Sequence, residues 1–173
     1  MQDVYQLREA GSEDASALAA LSIEVWLSTY AEEGVSKTYG DHLMATFTKD
    51  TFLRDLQDQH VRIVVCHRGD FLLGYVKVLL STKPPLPGCG TAEISTIYVR
   101  NHHKGAGIGT ALLKRAYAIG REHGHDVMFL TVNHQNLPAI EFYKSRGMVC
   151  LGEWIYRLKD IAVMNYVYAS RTA

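Results

Sequence analysis

Residues 91–113 read Thr-Ala-Glu-Ile-Ser-Thr-Ile-Tyr-Val-Arg-Asn-His-His-Lys-Gly-Ala-Gly-Ile-Gly-Thr-Ala-Leu-Leu, and no other stretch limits the possible folds so tightly. The β-rich run from Thr91 to Val99 predicts a strand, and Asn101 to Gly107 a loop. Ile108, Ala111, Leu112, Ala116 and Ile119 fall at the spacing of a buried helical stripe. Glycines at 105, 107 and 109 let backbone N–H groups turn inward and approach an oxygen-rich ligand. The helix N-terminus adds partial positive charge, so a pyrophosphate suits this place, and Lys104 and Arg100 are candidate sources of mobile positive charge. No GxxxxGK[ST] string occurs, and Gly105-x-Gly107-x-x ends on Thr110, so neither a Walker A loop nor a dinucleotide fingerprint is present. A tight strand-to-helix turn that binds nothing stays open at this point.

The rest of the chain sets this segment inside an α/β layout. Residues 3–8 predict a short strand, Gly11-Ser12 a turn and N-cap, and Leu18, Leu21, Val25 and Tyr30 one face of a helix ending near residue 30. Ser36 to Gln57 predicts a second helical region, broken near Thr48. Val61–His67 and Phe71–Ser81 predict a hairpin around Arg68-Gly69-Asp70, and Lys83 to Gly90 a rigid surface loop. Val127–Val132 predicts a strand, Asn136–Arg146 a helix stopped by Gly147, and Met148–Trp154 with Ala162–Tyr168 two closing strands. The order gives an α/β fold: a mixed, mostly antiparallel sheet of six to seven strands with about four helices on its two faces. One domain over residues 1–173 is expected, with strand and helices in 1–60 ahead of a core in 61–173.

With 47% hydrophobic and 21% charged residues the chain is globular rather than disordered. Eighteen basic residues match eighteen acidic ones, which gives no global argument for nucleic acid or an anionic membrane. The charge is uneven, however. Residues 1–60 carry eleven acidic and four basic side chains, net −7, and residues 61–173 carry net +7. This fits either two differently charged solvated faces, or an anionic ligand held by the second part and a cationic one met by the first. Cys66, Cys89 and Cys150 are odd in number and share no CxxC spacing, which favours a reduced cytoplasmic setting. The start is too polar for a signal peptide, and the apolar run Phe71–Leu80 is too short to span a bilayer.

Lys104-Gly-Ala-Gly-Ile-Gly109 resembles the [Arg/Gln]-x-x-Gly-x-[Gly/Ala] signature of the GNAT superfamily of N-acetyltransferases, with Lys104 departing from its usual Arg or Gln. A second block, Leu130 to Met148, is similar to the family's Val-x-x-x-Asn-x-x-Ala-x-x-x-Tyr-x-x-x-Gly-[Phe/Met] pattern, with Val132, Asn136, Ala139, Tyr143 and Gly147 in register. The likeness covers roughly residues 61–155. Trp26-Leu-Ser-Thr-Tyr30, Tyr39, His42-Leu43, Phe47 and Phe52–Leu56 look like the spermidine/spermine-type branch, as does Leu158 to Tyr166.

The resemblance implies acetyl-CoA as co-substrate, lying in a V-shaped opening between the strands that end at Val99 and Val132. It implies that Ile97, Tyr98 and Val99 form a strand edge for the pantetheine arm. Amides of Lys104, Gly105, Ala106, Gly107, Ile108 and Gly109, with Thr110, would hold the pyrophosphate. Asn136 would bond the pantetheine, although it is equally a helix N-cap. A neutral amine would attack the thioester directly. An amine of solution pKa ~10.4 needs a base for this, and Glu93 is the implied candidate, against a merely outward polar residue. An amide near Ile97 would meet the oxyanion, and Tyr143 would protonate the leaving thiolate, against a packed core tyrosine. No acyl-enzyme through a cysteine is required.

No metal is expected, since His102-His103 and His123-x-His125 lack HExxH or CxxC-type partners. A small cationic amine such as a polyamine is the expected acceptor. A protein or peptide acetyltransferase and a non-catalytic acyl-CoA sensor are the alternatives. Neither nucleic acid nor membrane is an expected partner, and monomer and homodimer both remain open.

Overall fold

The computed structural model describes residues 5–158 and 161–173. The strands are β1 Gln6–Glu9, β2 Val61–Arg68, β3 Phe71–Leu79, β4 Ala92–Val99, β5 Val127–Asn133, β6 Val149–Leu158 and β7 Ile161–Arg171. The helices are α1 Ala15–Tyr30, α2 Lys37–Thr46, α3 Lys49–Gln57, α4 Ile108–Glu122 and α5 Leu137–Ser145. The seven strands follow the order β1-β2-β3-β4-β5-β7-β6. The pairs β1–β2, β5–β7 and β6–β7 are antiparallel and β4–β5 is parallel. The mixed α/β fold expected from the sequence is therefore present. The helical region after Ser36 does break at Thr48, whose hydroxyl accepts from the Thr51 amide at 3.0 Å and starts α3 as a separate helix. Residues 3 and 4 of the expected first strand lie outside the described residues.

The chain divides into two compact units, Met1–Lys77 with Thr96–Ala116, and Val78–Ser95 with Tyr117–Ala173. The first has a core of Ala15, Leu18, Leu21, Val25, Phe52, Ile63, Val65 and Tyr75, all buried. Asp14 closes the start of α1. It accepts from Arg8 at 2.6 and 2.9 Å and from the Gly11 amide at 2.9 Å, and the Arg8 bond holds its carboxyl below the usual range.

Tyr75 is 1% exposed and its hydroxyl is bonded on two sides within this core. Ser22 Oγ donates to Leu18 O at 2.7 Å, so the Tyr75 hydroxyl, also 2.7 Å away, donates to Ser22. The Thr96 side chain is its other partner, and burial pushes the phenol strongly upward. One hydroxyl thus ties α1 to β4.

Gly74, the residue before it, has an ordinary negative-φ backbone. A Cβ there would nonetheless lie 2.6 Å from Tyr98 O and 3.2 Å from Val99 Cα. Only glycine lets β3 approach β4 this closely. Gly74→Ala is expected to destabilise the protein by about 1–3 kcal/mol, read as a lower urea midpoint. Gly40, in α2 with nothing within 4 Å of a built Cβ, is the contrast. There the same change is expected to stabilise by about 0.4–1 kcal/mol. Equal effects at the two positions would remove the close approach as a cause.

In the second unit Cys89, Phe129, Val167 and Ala169 form a buried cluster with Leu86, Val127 and Trp154 packed against it. β6 and β7 run past the expected ends at Trp154 and Tyr168. Ile155 (59% exposed) and Tyr156 (42%) carry no buried alternation that would mark a strand in the sequence. Of the three thiols, Cys66 and Cys89 are buried, and burial pushes Cys66 up to about 11, while Cys150 on β6 is exposed.

Candidate active site

In the first unit β4 runs into a short 3-10 turn, Asn101–His103, and then into the glycine loop. Bonds from His103 N to Arg100 O (2.9 Å) and from Lys104 N to Asn101 O (3.2 Å) shape the turn. Gly105 and Gly107 sit at φ +83° and +81°, the left-handed region that β-carbon sterics close to other residues. Lys104, Gly105, Ala106 and Gly107 are all exposed. The next residue is the opposite: Ile108 is 1% exposed and pins the start of α4. The amides of Gly107, Ile108 and Gly109 lie at the first turn, where an α-helix offers no acceptor of its own. Gly109 and Thr110 are half-buried. Exposed backbone, positive φ and a helix N-terminus thus coincide at one anchored place. A Cβ on Gly105 would meet nothing within 4 Å, so that side of the loop is open.

Arg100 donates its amide to Leu73 O at 3.0 Å. Along a strand alternate residues turn their backbone groups to opposite edges, so with Arg100 bonded to β3 Tyr98 faces β3 as well, while Ile97 and Val99 face away. That is the edge on which β4 pairs with β5 at Ala92–Met128 and Glu93–Phe129, where the pairing ends. Ile97 and Val99 therefore present backbone groups beyond the end of that ladder. Tyr98 packs inward, with ring centroids 5.8 Å from Tyr75 and 6.4 Å from Phe47. Arg100 is engaged by an acidic partner: its Nε lies 3.0 and 2.9 Å from the two oxygens of Glu24, whereas Lys104 is exposed on the loop.

Glu93, Asn136 and Tyr143 belong to the second unit. Glu93 is half-buried and stands opposite Phe129. Asn136 caps α5, since its side-chain oxygen accepts from the Ala139 amide at 3.3 Å. The cap takes up only the oxygen and leaves the amide NH2 as a donor. Tyr143 is half-buried on α5, its ring 5.4 Å from Phe142. His134 turns Nδ1 to Met164 O at 3.0 Å. Among the described residues no group of three His, Cys, Asp or Glu side chains is placed to hold a metal, and no described helix is long and apolar enough to cross a membrane.

Residues 21–148 match the model of the Acetyltransferase (GNAT) family. The chain belongs to this family. An uncharacterized N-acetyltransferase of Lactobacillus delbrueckii subsp. lactis is 24% identical over 153 residues, 88% of each chain. One of Methanocaldococcus jannaschii is 43% identical over 56 residues, which is 32% of this chain and only 25% of that relative. The crystal structure of PaiA N-acetyltransferase from Thermoplasma acidophilum in complex with coenzyme A has the same fold. Its TM-score is 0.75 at 17% identity, over 97% of this chain and 99% of that one.

Proposed function

We propose that this GNAT-family chain is a single-domain enzyme that transfers acetyl from acetyl-CoA to a primary amine by direct attack in a ternary complex. The exposed loop Lys104–Gly107 leading into the buried Ile108 supports this reading, because glycines at positive φ just before a helix N-terminus, beside one lysine, suit a pyrophosphate. In this assignment Lys104, Gly105, Ala106, Gly107, Ile108, Gly109 and Thr110 hold the pyrophosphate. Ile97 and Val99 give backbone groups to the pantetheine arm, Tyr98 braces them from the core, and the Asn136 amide adds a donor. Glu93 relieves the incoming ammonium of its proton, an amide near Ile97 carries the developing oxyanion, and Tyr143 protonates the departing thiolate. Acetyl-CoA, when bound, supplies the activated acyl group.

A small cationic amine, such as a polyamine, is the proposed acceptor. Its support is the net −7 over residues 1–60. Five of the acidic groups in that stretch are already paired: Glu9 with Arg115 at 3.9 Å, Asp14 with Arg8 at 2.6 Å, Glu24 with Arg100 at 2.9 Å, Asp41 with Lys37 at 2.7 Å and Asp55 with Lys77 at 3.0 Å. The proposed steering then rests on the remaining carboxylates, exposed Glu32 and Glu33 among them. Turnover of acetyl-CoA against spermidine, aminoglycosides, peptides and free glutamate tests both levels of the proposal. For a focused site, kcat/KM toward the polycation is expected to fall as ionic strength rises through about 0.15 M, where screening reaches about 8 Å. A flat salt dependence, or a preference for glutamate, would overturn the cationic acceptor while leaving acetyl transfer in place. CoA release with no amine in the panel would overturn acetyl transfer.

A further inference from the structure

β6 ends the strand order, so one of its edges has no neighbouring strand in the sheet. The groups on that edge follow from the ladder. Met164 gives its carbonyl to His134 on the β5 side at 3.1 Å, so Val163 and Asn165 turn toward β6. Their partners in register are Tyr156 and Trp154, whose backbone groups therefore face β7. Glu153, Ile155 and Arg157 then turn their N–H and C=O groups outward along the open edge. Their side chains share one face of the strand and all three are exposed, Ile155 at 59%. A ten-residue edge with an apolar centre and unused backbone donors is a template for another strand.

We infer that the occupant of this edge is β6 of a second copy of the chain, paired antiparallel about a two-fold axis through Ile155. The sequence of β6 is complementary to itself in that one register. Ile155 meets Ile155 of the second copy. Glu153 meets Arg157 of the second copy, twice by symmetry, and Trp154 stands opposite Tyr156. Charge complementarity selects this occupant. Glu153 and Arg157 are four residues apart on an extended strand, too far to pair within one chain, and among the described residues neither has an ion-pair partner. An isologous contact needs such self-matching, because each residue meets the symmetry mate of its own partner. The outward groups of Glu153, Ile155 and Arg157 fall in the hydrogen-bonded positions of the new ladder, so each matched pair exchanges two backbone bonds. An apolar centre flanked by opposite charges is the cross-strand arrangement that stabilises sheets.

Sedimentation equilibrium of the full chain, with charge reversals on this exposed face, tests the inference. The wild type is expected to be a dimer. Glu153→Arg and Arg157→Glu each create two like-charge contacts, and each is expected to weaken association by at least about tenfold. The double variant restores opposite charges across the axis and is expected to return to wild-type affinity. A wild type that stays monomeric at about 100 µM would overturn the assignment. So would single variants that dimerise as tightly as wild type, or a double variant no better than the singles. None of these readouts depends on catalysis, so the outcome is independent of the proposed reaction.

Discussion

Gly107→Glu is expected to abolish binding of coenzyme A and acetyl-CoA, a loss of at least about three orders of magnitude or about 4 kcal/mol. Three effects act together. The backbone at φ +81° is one that a residue with a β-carbon adopts only under strain. The new side chain starts 3.7 Å from Tyr5 Oη on an exposed loop, beside the amides proposed to hold the pyrophosphate. Its charge repels the phosphates at a helix start that otherwise favours anions. Gly107→Ala separates these terms, since it brings the strain without the charge. Isothermal titration calorimetry reads both variants. Wild type should also gain about 2.7 kcal/mol of stability with coenzyme A at a hundredfold excess over its Kd, a gain absent from Gly107→Glu. Wild-type affinity in Gly107→Glu would mean that the loop does not hold the pyrophosphate.

Tyr143→Phe is expected to lower kcat by about a hundredfold with little change in the KM for acetyl-CoA. The hydroxyl is assigned to the leaving thiolate, which exists only as the bond breaks, so its loss falls on the chemical step. Phenylalanine keeps the edge contact to Phe142 at 5.4 Å and the ring's half-buried packing. Glu93→Gln is the companion measurement. If Glu93 takes the proton from the amine, the acidic limb of the pH–rate profile flattens in the variant. A wild-type kcat in Tyr143→Phe would remove it from the mechanism, and an unchanged limb would move the base from Glu93 to a water relay.

The residues legible in the sequence are those whose constraints are local. A glycine at positive φ, a strand of β-branched residues and a helix with Ile108, Leu112, Ala116 and Ile119 on one face each leave a short-range pattern. The loop between β4 and α4 is therefore readable from its own residues, as is the break at Thr48, where a hydroxyl N-cap starts a new helix. Tertiary partners leave no such trace. Gly74 reads as an ordinary strand residue, yet its missing side chain is what admits Tyr98 O within 2.6 Å of the Cβ position. Tyr75 reads as one more apolar strand position, and nothing nearby announces its bonds to Ser22, 53 residues away, and to Thr96. The acidic character of residues 1–60 is visible as composition, but the pairing of Glu24 with Arg100 spans 76 residues and changes which carboxylates remain to act on a ligand. Asn136 is open between N-cap and ligand donor on sequence grounds, and the fold puts its oxygen on the cap.

The uneven burial of the three thiols has a practical consequence. Cys66 and Cys89 are shielded, and the raised Cys66 keeps it protonated at neutral pH, while Cys150 stands in solvent on β6. A maleimide dye added to the unmutated protein would therefore attach at one place. That place lies five residues before Ile155 on the same strand. The native chain thus supplies its own spectroscopic handle, from which the depolarisation of light between two identical dyes would report whether two such strands meet.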